Sequence, residues 1–230
     1  MSKELSEEKF VERLRSRDKG KCSYLHQVGV LATPNENYVK YAHDYIINNE
    51  IEQGENGKFK LKGIQQITRE ETYNYDHAQT AKPSSNRDEE RFVLNMYKNK
   101  WCDDVKAVFG DIKDYQIPLK NKQDDKGVGK IDFIFVKNDE LYLAEIKSDR
   151  SSESALKAIV EVQTYFQIVD KAKLLSDFGL KPDTKIKKVV VLFSNTKGAK
   201  QLKEDEFVKD LLDKFDVEHI ILLGCRKCRK

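Results

Sequence analysis

No run of about 18 apolar residues occurs in the chain, so a membrane-spanning helix is not expected. Cysteine is scarce. Four residues in a chain of 230 do not read as a disulfide framework. The stretch from Met1 to Glu8 has no apolar core, and a secretory leader is not expected there. An excess of one charge is missing as well: 42 Lys and Arg face 39 Asp and Glu, a formal net charge of +3. Any nucleic-acid surface must therefore come from local clustering. Internal repeats and long low-complexity tracts are absent. These absences together lead to the expectation of a cytoplasmic protein with no membrane partner. What the chain does contain is enough for a packed core, with 39% hydrophobic and 10% aromatic residues. Its length suits one large domain, or a core domain with a smaller one.

The most informative stretch runs from Gly129 to Lys147. Two segments rich in β-branched, aromatic and aliphatic residues, 130–136 and 141–147, flank a polar turn, which predicts a hairpin. Asn138 and Asp139 are residue types that tolerate φ > 0 and suit its tip. A turn centred between them sets Asp132 opposite Glu145, and Lys147 projects from the same face as Glu145. Two carboxylates facing each other at ~5 Å repel. A divalent cation reverses that, and Mg²⁺ in particular favours a few hard oxygen ligands. Both acids share a face with Ile134, Val136, Leu141 and Leu143, inside otherwise apolar runs. The competing account is a pair of solvated strand ends.

The flanking residues predict the frame. Asn86 to Tyr97 reads as a helix with early acids that complement its dipole. Glu89 shares a face with Phe92, Val93 and Met96, while Glu90 leans to its edge. Tyr115 to Leu119 is a short strand. Residues 121–130 form a polar, Gly-containing loop, and its Gly-Val-Gly-Lys lacks the spacing of a phosphate loop. Ser151 to Asp170 is a helix with an apolar stripe from Ala155 to Val169. Ile186 to Phe193 is a buried strand, Glu204 to Phe215 a helix, and His219 to Leu223 a last strand. The expected class is α/β, a mixed sheet flanked by helices.

At these residues the chain resembles the PD-(D/E)XK nuclease superfamily. The matching string is Asp132, twelve residues, then Glu145-Ile146-Lys147, with apolar flanks at Ile131 to Ile134 and Leu141 to Ala144. The likeness covers roughly residues 86–195. One position departs from the pattern: Ile131 stands where the motif has Pro. The resemblance implies a restriction-endonuclease-like core and a nuclease that hydrolyses DNA with Mg²⁺ or Mn²⁺. RNA stays open as a substrate, and a homodimer stays open as the assembly. It further implies that Asp132, Glu145 and the Ile146 carbonyl hold metal and that Lys147 orients the attacking water. Glu89, with Glu90 as the alternative, is the acid that reaches the metal from the first core helix. Gln163 is the accessory residue on the helix after the hairpin, with Glu161 ranked below it.

Residues 83–230 form the expected nuclease-like domain and residues 1–82 an accessory region. In the latter, a helix near 5–17, a helix over 38–47 and a hairpin over 51–62 follow the order of a winged-helix module. Lys58, Lys60 and Lys62 alternate on one side of that hairpin, for phosphate contact or simple solvation. Cys225 and Cys228 make half a zinc site, which Cys22 and His26 complete if the termini meet. Free thiols are the plainer reading. Besides a nuclease, two functions remain open: a catalytically inactive nuclease-fold protein that binds nucleic acid, and a structural zinc protein.

Overall fold

The computed structural model describes residues 4–16, 24–54, 57–74, 88–100, 102–121, 125 and 127–223. Among these the N-terminal elements are α1 (Glu7–Arg15), α2 (Glu36–Tyr45), β1 (Ile51–Gln53) and β2 (Phe59–Leu61). Then come α3 (Asp88–Lys98), α4 (Asp103–Phe109), β3 (Asp111–Pro118), β4 (Lys130–Lys137) and β5 (Glu140–Ile146). The chain continues through α5 (Ala155–Ile168), α6 (Lys171–Asp177), β6 (Ile186–Phe193), α7 (Lys197–Glu204), α8 (Glu206–Phe215) and β7 (Val217–Leu222).

The β4–β5 hairpin follows from its turn. Asn138 and Asp139 adopt φ of 53° and 60°, the pair of left-handed residues that a two-residue type I′ turn requires. The register runs from Lys137↔Glu140 to Phe133↔Ala144. That is the expected pairing, and one step further brings Asp132 level with Glu145. β3 pairs antiparallel with β4, while β6 and β7 add parallel beyond β5. The result is a five-stranded mixed sheet in the order β3-β4-β5-β6-β7. A parallel neighbour needs a crossover connection, and α5 with α6 supplies it between β5 and β6. These inner strands read as nearly continuous apolar runs because both of their faces are covered.

Side-chain alternation assigns the layers. Phe133, Phe135, Tyr142 and Ala144 pack with Val93 and Met96 of α3 and with Val105 and Phe109 of α4. On the opposite face, Ile134, Leu141 and Leu143 meet Tyr165 and Ile168 of α5 and Leu174 of α6. Val190 and Leu192 extend that layer beneath α5, α7 and α8. The helix expected over 151–170 is shorter, α5 alone, and a second helix outside that expectation, α6, follows it. Val169 leaves helical geometry at φ −63°, ψ 133°. Asp170 then caps α6, its side chain accepting from Lys173 N.

The N-terminal helices and hairpin form in the expected order. Phe10, Leu14, Val39 and Ile46 belong to the same apolar cluster as Ile159, Val190 and Leu211, so this region is packed onto the helical layer of the sheet. A two-point clamp holds the hairpin to α5. Leu61 N donates to Gln167 Oε1 at 2.8 Å, and Gln167 Nε2 donates to Leu61 O at 2.9 Å. The hairpin lysines lie against nearby acceptors: Lys58 beside Asp216 at 3.6 Å, Lys60 beside Glu52 at 3.2 Å, and Lys62 donating to Asn49 O at 3.0 Å. Among the described residues no helix is long and apolar enough to cross a membrane.

Candidate active site

The hairpin delivers Asp132, Glu145 and Lys147 to one cleft, of about 570 Å³, which Glu89, Glu161 and Gln116 also line. Asp132 is tied down at both oxygens. Ile146 N donates to Oδ2 at 2.9 Å, and Gln116 Nε2 donates to Oδ1 at 3.1 Å. Glu145 and Lys147 are only 3% and 4% exposed, so their charges need partners close by.

Lys147 is the hub of those partners. Its Nζ lies 2.5 Å from Glu145 Oε1, 3.0 Å from Glu161 Oε2 and 3.2 Å from Glu153 Oε2. Burial disfavours its charge, but the surrounding carboxylates outweigh burial and hold its pKa well above the ordinary lysine value. Lys147 is therefore an ammonium at neutral pH. Glu161 shows the reciprocal effect. Burial works against its ionisation, yet Lys147, with His26 and Lys157, brings it down to about 2. Tyr165 donates its hydroxyl to the other Glu161 oxygen at 2.9 Å.

The two hairpin acids are less well compensated. Burial pushes Asp132 up to about 7 against the pull of Lys147 and Ile146 N–H. Glu145 is raised by burial first, and then by Asp132 and Glu161. Glu89 is raised by burial, with Lys147 opposing, and its Oε1 sits 3.5 Å from Ser148 N. Carboxylates outnumber lysines around this cleft. One buried ammonium thus serves several acids, and the deficit of positive charge collects at Asp132 and Glu145. Among the described residues no three His, Cys, Asp or Glu side chains are gathered into a metal-holding group. The position between Glu145, Glu153 and Glu161 is taken by Lys147 Nζ. The donors at Asp132 and Glu145 are oxygens, a hard set that suits Mg²⁺ or Mn²⁺ better than softer ions.

Asp132, Glu145, Lys147 and Glu89 are thus brought together, while Gln163 is not. Its amide donates to Gln167 Oε1 at 2.9 Å and accepts from buried Lys188 Nζ at 2.9 Å, on another side of α5. The helix turns Glu161 to the cleft in its place. Lys157, Glu161 and Tyr165 recur every four residues along α5 and form one face, and Glu153 continues that spacing just before the N-cap Ser154. This signal was available in the sequence, whereas Gln116 gave none. Of the proposed zinc ligands, Cys22, Cys225 and Cys228 lie outside the described residues. His26 is buried 5.4 Å from the Tyr165 ring, and burial lowers its pKa to about 4.

The loop entering β4 is fitted closely to this site. Gly129 takes φ of 90°, and a Cβ there would overlap the Tyr165 hydroxyl and stand 2.9 Å from its ring. Gly129→Ala is expected to cost about 2 kcal/mol, through overpacking and the left-handed backbone together. A denaturant midpoint equal to that of the wild type would contradict this.

No family model matches the chain, and no curated protein or solved structure matches it significantly.

Proposed function

We propose that this protein is a metal-dependent nuclease that hydrolyses phosphodiester bonds in DNA, on a restriction-endonuclease-like core. The reading rests on the meeting of Asp132, Glu145 and Lys147 in one cleft where carboxylate charge exceeds its compensation. Asp132, Glu145 and the Ile146 carbonyl would hold Mg²⁺ or Mn²⁺, with Glu89 completing the shell or positioning its water. When bound, the ion supplies Lewis acidity, polarising a phosphate oxygen and acidifying water. Lys147, kept as an ammonium by Glu145 and Glu161, donates hydrogen bonds and stabilises negative charge developing on the phosphate. Because it is already protonated, it orients water and does not take a proton from it.

The test is incubation of purified protein with linear, circular and single-stranded DNA, and with RNA, under Mg²⁺, Mn²⁺ or EDTA. Cleavage is expected with either ion and not with EDTA. Asp132→Ala should lower the rate by roughly 100-fold or more, equivalent to about 3 kcal/mol of lost transition-state stabilisation. Undiminished cleavage by that variant would remove the assignment. The second reading is a nuclease-fold binder without catalysis, favoured by the ion-paired state of Lys147. DNA shifted in a gel yet left whole under Mg²⁺ would establish it.

A further inference from the structure

We propose that Gln116 is the positioning residue for Asp132, fixing the plane of its carboxylate so that the remaining lone pairs face a divalent cation. The proposal rests on the metal-dependent reading above. Gln116 lies within β3 yet has φ of 51°. Left-handed backbone is unremarkable at Asn138 and Asp139, in a tight turn, and at Asp216, which ends α8. Inside a strand, a residue with a long side chain adopts it only where its surroundings over-determine the conformation.

The surroundings here show what the strained backbone accomplishes. Tyr115 pairs with Phe133 and Ile117 with Ile131. Between them Gln116 turns its amide onto Asp132 Oδ1 at 3.1 Å, while Ile146 N–H holds Oδ2 at 2.9 Å. A carboxylate has about four lone-pair directions. One donor on each oxygen fixes its orientation and leaves acceptor capacity for an ion. A lysine in this position would bring its own positive charge and compete with the ion, whereas a neutral amide does not. Partners of this kind behind a metal ligand typically change affinity 10–100-fold when removed.

Gln116→Gly removes the amide and also relieves the backbone. The expected result is a thermal midpoint of the metal-free protein equal to or above that of the wild type. The Mn²⁺ dissociation constant from calorimetric titration should meanwhile rise 10–100-fold. Gln116→Ala removes the amide but keeps the backbone strain, and should lose the same affinity with a lower midpoint than Gln116→Gly. A purely structural role would lower the midpoint of both variants and leave Mn²⁺ affinity alone. Mn²⁺ binding by Gln116→Gly as tight as that of the wild type overturns the proposal by itself. A wild-type protein that takes up no Mn²⁺ overturns the metal reading, and this proposal with it.

Discussion

Lys147→Ala is expected to destabilise the fold by about 3–5 kcal/mol as well as to remove the proposed nuclease activity. Sequence alone suggests a catalytic lysine whose loss leaves the fold nearly intact, because a motif residue at a strand end is ordinarily accessible. The structure gives a different expectation. Lys147 is buried among Glu145, Glu153 and Glu161, with Nζ within 3.2 Å of all three. Removing one partner from a buried ion pair is costly because the other charge stays behind without compensation, and here three carboxylates are left. For a chain of this length the loss corresponds to a fall in melting temperature of roughly 10 °C. The deficit should depend on pH. Without the ammonium, the folded-state pKa values of Glu145 and Glu161 rise. A carboxylate whose folded pKa is raised loses stability as pH increases through that pKa. The gap between wild type and variant should therefore widen from pH 5 to pH 8. Glu145→Gln placed in the Lys147→Ala background should recover part of it, since one of the stranded charges is gone. A Lys147→Ala protein as stable as the wild type at pH 8 would mean that the cluster is solvated and the hub has no structural role.

How much of this was visible beforehand varies with the range of the interaction concerned. The hairpin was legible because its turn is a local matter: two residues that accept positive φ, flanked by strand-forming runs. β6 was legible to the residue, since Ile186 and the Val-Val-Val-Leu-Phe run from Val189 to Phe193, buried throughout, favour an inner strand. Glu89 was legible because helical spacing aligns it with Phe92, Val93 and Met96. Helices α4, α6 and α7, of 7 or 8 residues, were not. Segments of two turns carry too few apolar positions to establish a period. The i,i+4 stripe of Lys157, Glu161 and Tyr165 points to Glu161, whereas the resemblance points to Gln163. Gln116 and His26 were illegible for another reason. The role of Gln116 depends on a backbone angle that no local pattern encodes. His26 reaches the Tyr165 ring from more than 130 positions away, through tertiary packing alone.

Asp132→Asn should separate the cost of the site from its use, making the protein more stable while abolishing the proposed metal-dependent cleavage. In the folded protein the Asp132 pKa stands at about 7, against an ordinary value of 3.8. That difference amounts to about 4 kcal/mol once the group is ionised in both states, and cleft water reaching its exposed edge trims it to about 3 kcal/mol. The sign follows from which state keeps the proton. Below about pH 4 Asp132 is protonated whether folded or unfolded, and there is no penalty. Between pH 4 and 7 the unfolded chain ionises first while the native state holds its proton, so native stability falls as pH rises. Above pH 7 the penalty is complete. Asparagine carries no charge and preserves the shape. Its Oδ1 can accept from Ile146 N–H, and its amide can donate to Gln116 Oε1 after a flip of the Gln116 amide, so both hydrogen bonds to this position are kept, the second with its direction reversed. The variant should exceed the wild type by about 3 kcal/mol in denaturant unfolding at pH 8 without metal, and by roughly half that at pH 5. Mg²⁺ should narrow the gap at pH 8, because an ion that binds only the folded wild type stabilises it by mass action. If Asp132→Asn is no more stable than the wild type at pH 8, Asp132 is not an under-compensated charge. The electrostatic case for a cation beside Glu145 would then fall, whatever the cleavage assay shows.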